Sequence, residues 1–146
     1  MNTSKFNYKN VCRIPCSNVQ HGVLKALTFL FEYIGEKSTK YINTLYSLLE
    51  NTLIDRDGIH KQIASWAVKN LALGCYGRGF DDVLLSLLNF IWPNLLRSAA
   101  HLSLATMDAI DALRLSVGPG TILYYTLQGL FHSSKRVSSY EKKSFR

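Results

Sequence analysis

A repeated pattern of apolar residues between positions 42 and 74 most constrains what this chain can fold into. In the first half of this stretch, apolar residues recur at i, i+3, i+4, i+7 and i+11, which is the period of one face of an α-helix. Residues 55–58 interrupt the pattern, and it then resumes at spacings of three and four until Gly74, a candidate left-handed stop. The two stripes consist of Ile42, Leu45, Tyr46, Leu49 and Leu53, and of Ile59, Ile63, Trp66, Ala67 and Leu71. The stretch therefore predicts a helical hairpin.

The turn of this hairpin contains two acidic residues, Asp55 and Asp57. A carboxylate at the start of a helix accepts a backbone N–H and suits the positive end of the helix dipole, so Asp57 is predicted to cap the second helix. The two acids could also be read as a general acid/base pair. Capping explains them more simply, and we assign both to the turn.

The same unit recurs along the chain. Predicted helices end at Gly35, Gly74 and Gly118, which are 39 and 44 residues apart, within the range of HEAT and armadillo repeats. The stretch Asp55-x-Asp57-x-x-His60-Lys61 also resembles the HEAT pattern, in which an acid caps the second helix and a base lines the adjacent turns. The sequence predicts an all-α fold, a short α-solenoid of HEAT repeats.

The remaining helices complete this solenoid on both sides of the hairpin. They are predicted over Val19–Glu36, over Val83–Leu96 with a cap at Asp81 or Asp82 and a kink or end near Asn89 caused by Pro93, over Leu102–Val117, and from Pro119 onward. The result is two complete helical hairpins flanked by two half repeats. Three parts are predicted: a basic tail over residues 1–17, the repeats over 18–132, and a basic, serine- and lysine-rich tail over 133–146.

The loop after Gly74 has the sequence Cys75-Tyr-Gly-Arg-Gly-Phe80. Its two glycines could suggest a phosphate-binding loop, but no lysine or serine follows at P-loop spacing and no strand precedes it. An inter-repeat turn is the better interpretation. Tyr76, Arg78 and Phe80 are candidate protein-contact residues, since tyrosine, arginine and large aromatic side chains are common at binding hot spots.

The net charge of +7 is concentrated at the two ends. Residues 1–13 contain three bases and no acid, residues 135–146 contain five bases and one acid, and the body between them has nine of each. The tails are either solvated ends or contacts for a polyanion such as RNA. In the second case the candidate residues are Lys135, Arg136, Lys142 and Lys143.

Three cysteines without a secretory signal are expected to be reduced thiols in an intracellular protein. Cys12 and Cys16 followed by His21 could form part of a zinc site, but no fourth ligand is suggested nearby. The four histidines lie on different repeats, and a Cys75 nucleophile would need a base that the sequence does not place. We therefore predict no metal, no cofactor and no catalysis. No apolar run is long enough to span a membrane.

Several strings within residues 13–137 resemble the splicing factor 3b subunit 1 family, specifically its C-terminal HEAT repeats. They are Asn18-Val-Gln-His-Gly-Val-Leu-Lys25, Phe29-Leu-Phe-Glu-Tyr-Ile-Gly-Glu36, Asp55-Arg-Asp57, Leu73-Gly-Cys-Tyr-Gly77, Trp92-Pro-Asn94 and Leu127-Gln-Gly-Leu-Phe-His132. The resemblance implies a nuclear scaffold for pre-mRNA splicing in the U2 small nuclear ribonucleoprotein. It implies partners among the other splicing factor 3b subunits, and contact with pre-mRNA or small nuclear RNA only indirectly.

Two other expectations are compatible with this resemblance. Family members are several times longer, so the chain could be a truncated fragment that acts as a generic HEAT adaptor or has no independent function. The first and last predicted helices each lack a pairing helix, and such open ends of a solenoid expose apolar faces. Self-association through these ends is therefore an expected property.

The polyanion interpretation of the tails gives a direct prediction. If the tails contact phosphates, binding to single-stranded RNA should weaken steeply with salt, by about one unit of log-slope per phosphate contact. Deletion of residues 135–146 should then abolish the binding, measured by fluorescence anisotropy at several salt concentrations. Binding that is unchanged by the deletion would contradict this interpretation.

Overall fold

The computed structural model describes residues 17–96 and 99–130, and all regular structure within these ranges is helical. Six α-helices and two 3₁₀ segments follow one another within these ranges. They are α1 Ser17–Ile34, a 3₁₀ segment Gly35–Tyr41, α2 Ile42–Ile54, α3 Gly58–Gly74, α4 Asp81–Ile91, a 3₁₀ segment Trp92–Leu96, α5 Ala100–Val117 and α6 Pro119–Leu130. None of the helices in the described residues has the length and apolar character needed to cross a bilayer.

The helices form two layers. In one layer α3 lies between α1 and α5 and packs extensively against both, while in the other layer α2 packs against α4. The hairpins α2–α3 and α4–α5 connect the layers, and α6 packs against α5. Stacked helical pairs of this kind form an α-solenoid, so the prediction of an all-α solenoid is confirmed.

One continuous apolar core joins the two layers. The predicted stripe of α2 is buried, apart from Tyr46, which is half-buried and hydrogen-bonded through its hydroxyl to Ser86 Oγ at 2.6 Å. The largest fully buried side chains among the described residues come from all six helices. They are Phe31, Ile42, Leu49, Leu53, Ile63, Leu71, Leu84, Leu87, Leu88, Ile91, Leu113 and Ile122.

The stripe predicted for α3 is only partly the buried face. Ile63, Ala67 and Leu71 are buried, but Ile59 is 50% exposed and Trp66 is 38% exposed. Because α3 has neighbours on three sides, its buried surface is broad and also takes in small residues such as Ala64 and Ala72. The stripe of apolar residues therefore predicted the buried face of α3 only in part.

Glycines end two of the predicted helices as expected. Gly35 and Gly118 have positive φ angles of 47° and 99° and follow α1 and α5 directly, and Pro119 begins α6. The third helix, α3, also ends at Gly74 as predicted, but this residue has no positive φ and is not the left-handed stop that was expected. A Cβ atom at Gly74 would lie 2.5 Å from both the carbonyl oxygen of Gly35 and Ser38 Oγ, so glycine is needed for close packing instead.

The boundaries of α4 differ from the prediction at both ends. The helix begins at Asp81, so Asp81 and Asp82 lie in its first turn and neither is the N-cap. Their negative charges there interact favourably with the positive end of the helix dipole. It ends at Ile91, two residues beyond the predicted kink, and the chain tightens into the 3₁₀ segment that contains Pro93. Trp92 is half-buried and packs against the core.

The contact at Gly74 gives a stability prediction. Gly74→Ala should destabilise the chain by about 1–3 kcal/mol, because the added methyl group meets backbone that cannot move without shifting the 3₁₀ segment. Gly22→Ala in α1 is the matched control, since nothing lies within 4 Å of a Cβ atom there and the substitution should stabilise by up to about 1 kcal/mol. Urea unfolding measures both. Equal effects of the two substitutions would contradict the packing role of Gly74.

Candidate protein-contact surface

The three candidate contact residues in the loop after α3 differ in how much of each side chain is exposed to solvent. Tyr76 is 67% exposed, and Arg78 forms an ion pair with Glu36 of the preceding repeat. Phe80 is half-buried and packs against the core, so most of its ring is used within the chain. Gly77 and Gly79 both have positive φ, which allows the tight inter-repeat turn that the sequence predicted.

The two acids of the α2–α3 turn are held by local hydrogen bonds. Asp57 is the N-cap of α3, and its Oδ1 accepts a hydrogen bond from the Ile59 N–H at 2.8 Å. Asp55 Oδ1 accepts from the N–H groups of Arg56 and Asp57, and its Oδ2 lies 2.9 Å from His60 Nδ1. Burial raises the pKa of Asp55, but these hydrogen bonds outweigh it and lower the pKa below the ordinary value. A lowered pKa suits a structural carboxylate better than a general acid.

Cys75 sits at the C-terminal end of α3 and is almost completely buried. Burial raises the pKa of its thiol, and this effect outweighs the opposing influence of Ser38 and Arg78. The thiolate is the nucleophilic form of cysteine. Burial and a raised pKa therefore both oppose a role for Cys75 as a nucleophile.

An apolar ridge on α3 was missed by the sequence analysis. It consists of Ile59, Trp66 and Leu73, which are spaced by seven residues and are 50%, 38% and 46% exposed. Seven residues are about two helical turns, so the three side chains share one face of α3. The spacing was visible in the sequence, but two of the residues had been assigned to the packing stripe.

Hydrogen bonds to both neighbouring helices show that the ridge lies on the free side of α3. Asn70 Nδ2 donates to the Thr28 carbonyl of α1 at 3.0 Å, and Ser116 Oγ of α5 donates to the Ala72 carbonyl at 2.6 Å. These contacts flank the ridge on its two sides. The ridge is therefore the face of α3 that no described helix covers.

A groove of about 390 Å³ runs between α1 and α3 beside Leu73. Its lining combines apolar residues with charged ones, namely Glu32 and Glu36 from α1 and the following segment and Lys69 from α3. Lys69 Nζ also lies 3.6 Å from Asp108 Oδ2 of α5. An apolar ridge with a charged rim is the usual composition of a protein-contact surface.

The free side of α1 is a second apolar surface. Phe29, Leu30 and Tyr33 are exposed, and the rings of Phe29 and Tyr33 contact each other with centroids 4.5 Å apart. The sequence predicts that this helix has no pairing helix, and its exposed apolar side chains agree with that prediction. The candidate polyanion contacts Lys135, Arg136, Lys142 and Lys143 lie outside the described residues.

The environment of Cys75 predicts low reactivity. Its alkylation by iodoacetamide at neutral pH should be at least about 10-fold slower in the folded chain than in urea, because the thiol is buried and little thiolate is present. Since the pKa lies above the ordinary value of 9.0, the folded-state rate should still rise with pH where the unfolded rate has levelled off. Mass spectrometry of the peptide containing Cys75 gives both rates. A folded-state rate equal to that in urea would contradict the prediction.

No protein-family model matches the chain, but curated proteins do, among them two U2 snRNP components. The U2 snRNP component prp10 of Schizosaccharomyces pombe is 46% identical over 125 residues, which are 86% of this chain and 10% of prp10. The U2 snRNP component HSH155 of Saccharomyces cerevisiae is 43% identical over 123 residues, which are 84% of this chain and 13% of HSH155. The chain thus spans about a tenth of the length of the curated relatives it matches. Identity at this level along most of the chain shows that it belongs to the family of these U2 snRNP components, the splicing factor 3b subunit 1 family.

Proposed function

We propose that the chain is a non-catalytic protein-binding module of the pre-mRNA splicing machinery and acts in the nucleus. The relatives prp10 and HSH155 are both U2 snRNP components, which supports an assignment to that particle. The partners we propose are other splicing factor 3b subunits, and contact with pre-mRNA or small nuclear RNA would be indirect. Open solenoid ends such as the exposed face of α1 also favour self-association.

The observation that carries this proposal is the apolar ridge of α3. Trp66 lies at its centre and Leu73 lies at its end beside the charged groove. Tryptophan is among the residues most enriched at binding hot spots. A partner seated along the ridge would cover the free face of α3 and could reach Lys69 and Glu36 in the groove.

The absence of catalysis is part of the proposal. The carboxylates of the α2–α3 turn are occupied in capping and local hydrogen bonds, and the Cys75 thiol is buried with a raised pKa. These groups were the sequence-based candidates for acid/base and nucleophilic chemistry. Their environments support a scaffold role for the described residues.

The test is affinity purification of the full tagged chain from nuclear extract treated with nuclease, with the bound proteins identified by mass spectrometry. Recovery of U2 snRNP proteins is expected, and the double variant Trp66→Ala, Leu73→Ala should reduce it by at least about 10-fold because hot-spot truncations each cost more than about 1 kcal/mol. Tyr41→Ala is the matched control. Tyr41 is exposed like the ridge residues but lies in the 3₁₀ segment before α2, and its truncation should leave recovery unchanged.

Three outcomes would contradict the proposal. Recovery of chaperones alone would favour a chain without independent function, and recovery of proteins unrelated to splicing would favour a generic HEAT adaptor. Equal recovery by the wild-type chain and the double variant would exclude the ridge as the contact surface. Urea unfolding of each variant separates loss of binding from loss of the fold. Because Trp66 and Leu73 are only 38% and 46% exposed, their truncation also removes packing within the chain, and binding is compared at urea-free conditions in which each variant is folded.

A further inference from the structure

Two histidines and an aspartate converge where α1 packs against the start of α3. His21 comes from the second turn of α1, and Asp57 and His60 come from the cap and first turn of α3. One ligand atom from each residue lies within 4.8 Å of the other two. We propose that His21, Asp57 and His60 form a binding site for a transition-metal ion of the Zn²⁺ class, a site that is independent of the proposed protein-binding role.

The distances between the three side chains fit an ion better than they fit direct hydrogen bonds. Asp57 Oδ2 lies 3.5 Å from His21 Nε2 and 3.6 Å from His60 Nδ1. Both distances exceed the range of about 2.7–3.2 Å for an N–H···O hydrogen bond. A tetrahedral ion with bonds of about 2.1 Å holds its ligand atoms about 3.4 Å apart. The two spacings from Asp57 Oδ2 are therefore close to those of a metal coordination shell.

The carboxylate of Asp57 is already oriented for this role. Its Oδ1 caps α3 through the Ile59 N–H, and this fixes Oδ2 on the side that faces both histidines. Capping and coordination thus use different oxygens of the same carboxylate. Binding of an ion would require little rearrangement of Asp57.

The two imidazole rings are packed together and largely removed from solvent. Their centroids are 4.1 Å apart, and the side chains of His21 and His60 are 18% and 5% exposed. Nε2 of His21 is buried and has no hydrogen-bond partner among the described residues. A buried polar atom left without a partner costs free energy, and coordination by this nitrogen would remove that cost.

Asp55 borders the site at the same nitrogen of His60. Its Oδ2 lies 2.9 Å from His60 Nδ1, so an ion coordinated by Nδ1 would replace the proton of this hydrogen bond. Asp55 Oδ2 would then be a further carboxylate oxygen next to the proposed ion. A cavity of about 120 Å³ bordered by Gln20, Asn51, Asp55 and His60 adjoins this position and offers an entry path.

The ligand atoms determine the class of ion. Neutral imidazole nitrogens suit Zn²⁺, Co²⁺ and other first-row transition metals, whereas Mg²⁺ and Ca²⁺ prefer sites built from oxygen alone. Two nitrogens and one carboxylate oxygen therefore favour Zn²⁺ over Mg²⁺. Because imidazole binds the ion only when its coordinating nitrogen is unprotonated, binding should weaken as pH falls.

The test is a titration of the full chain with Co²⁺, followed by visible absorption, and then competition by Zn²⁺. Cys12→Ser and Cys16→Ser are introduced in every sample so that these thiols do not contribute ligands. One equivalent of Co²⁺ should give the intense visible bands of tetrahedral coordination, Zn²⁺ should displace it, and excess Mg²⁺ should not. Zn²⁺ should also raise the thermal unfolding temperature, because an ion that binds only the folded state stabilises it.

Three variants separate coordination from a structural effect. Asp57→Asn keeps a side-chain oxygen that can cap α3, and His21→Gln lies at a partly exposed position, so both should fold, as circular dichroism can verify. Each should weaken Co²⁺ binding by at least about 10-fold. His101→Gln is the matched control, because His101 is an exposed histidine whose Nε2 approaches Gly58 but which is not part of the cluster. Absence of tetrahedral bands, unchanged binding in His21→Gln, or equal weakening in His101→Gln would overturn the proposal.

Discussion

The close packing of α3 against its neighbouring helices is the constraint on which the rest of the structure depends. A helix with neighbours on three sides can be accommodated only if some of its contact positions carry small side chains, and α3 has Ala64, Ala67 and Ala72 at such positions. At its C-terminal end the approach becomes closest, since Gly74 leaves no room for a Cβ atom against Gly35 and Ser38. This contact fixes the 3₁₀ segment that leads into α2, so it sets the spacing between successive repeats as well as the position of one helix.

The same constraint explains where the contact surface lies. Small residues occupy much of the buried face of α3, and some of its large apolar side chains are left on the side without a neighbour. Trp66 and Leu73 are therefore exposed as a result of how the repeat packs. In a solenoid each repeat contacts only its neighbours, and one long surface stays free for partners. The ridge on α3 is the part of that surface in which large apolar area and nearby charge coincide.

Much of the architecture could be predicted from the sequence because it depends on local signals. Helical periodicity, the glycines at positions 35 and 118, and the acid at position 57 each act within one or two helical turns. The buried face of α3 could not be predicted in the same way, because burial there depends on how many helices surround it, and periodicity alone does not reveal this. The helix does end at Gly74, but the left-handed conformation expected there was wrong for a related reason, since a glycine required by a neighbouring segment looks the same in sequence as one required by a positive φ.

The candidate site was predictable only in part for a similar reason. The cap at Asp57 follows from its place in the chain, but its proximity to His21 depends on the register in which α1 packs on α3. That register is fixed by the contact at Gly74 and by the Asn70–Thr28 hydrogen bond about one turn before it, both far from the histidines. Packing at one end of the helix pair thus positions the polar cluster at the other end, where Asp57 links the start of α3 to His21 of α1. An ion held there would join the two helices directly at the end that lacks the tight glycine contact.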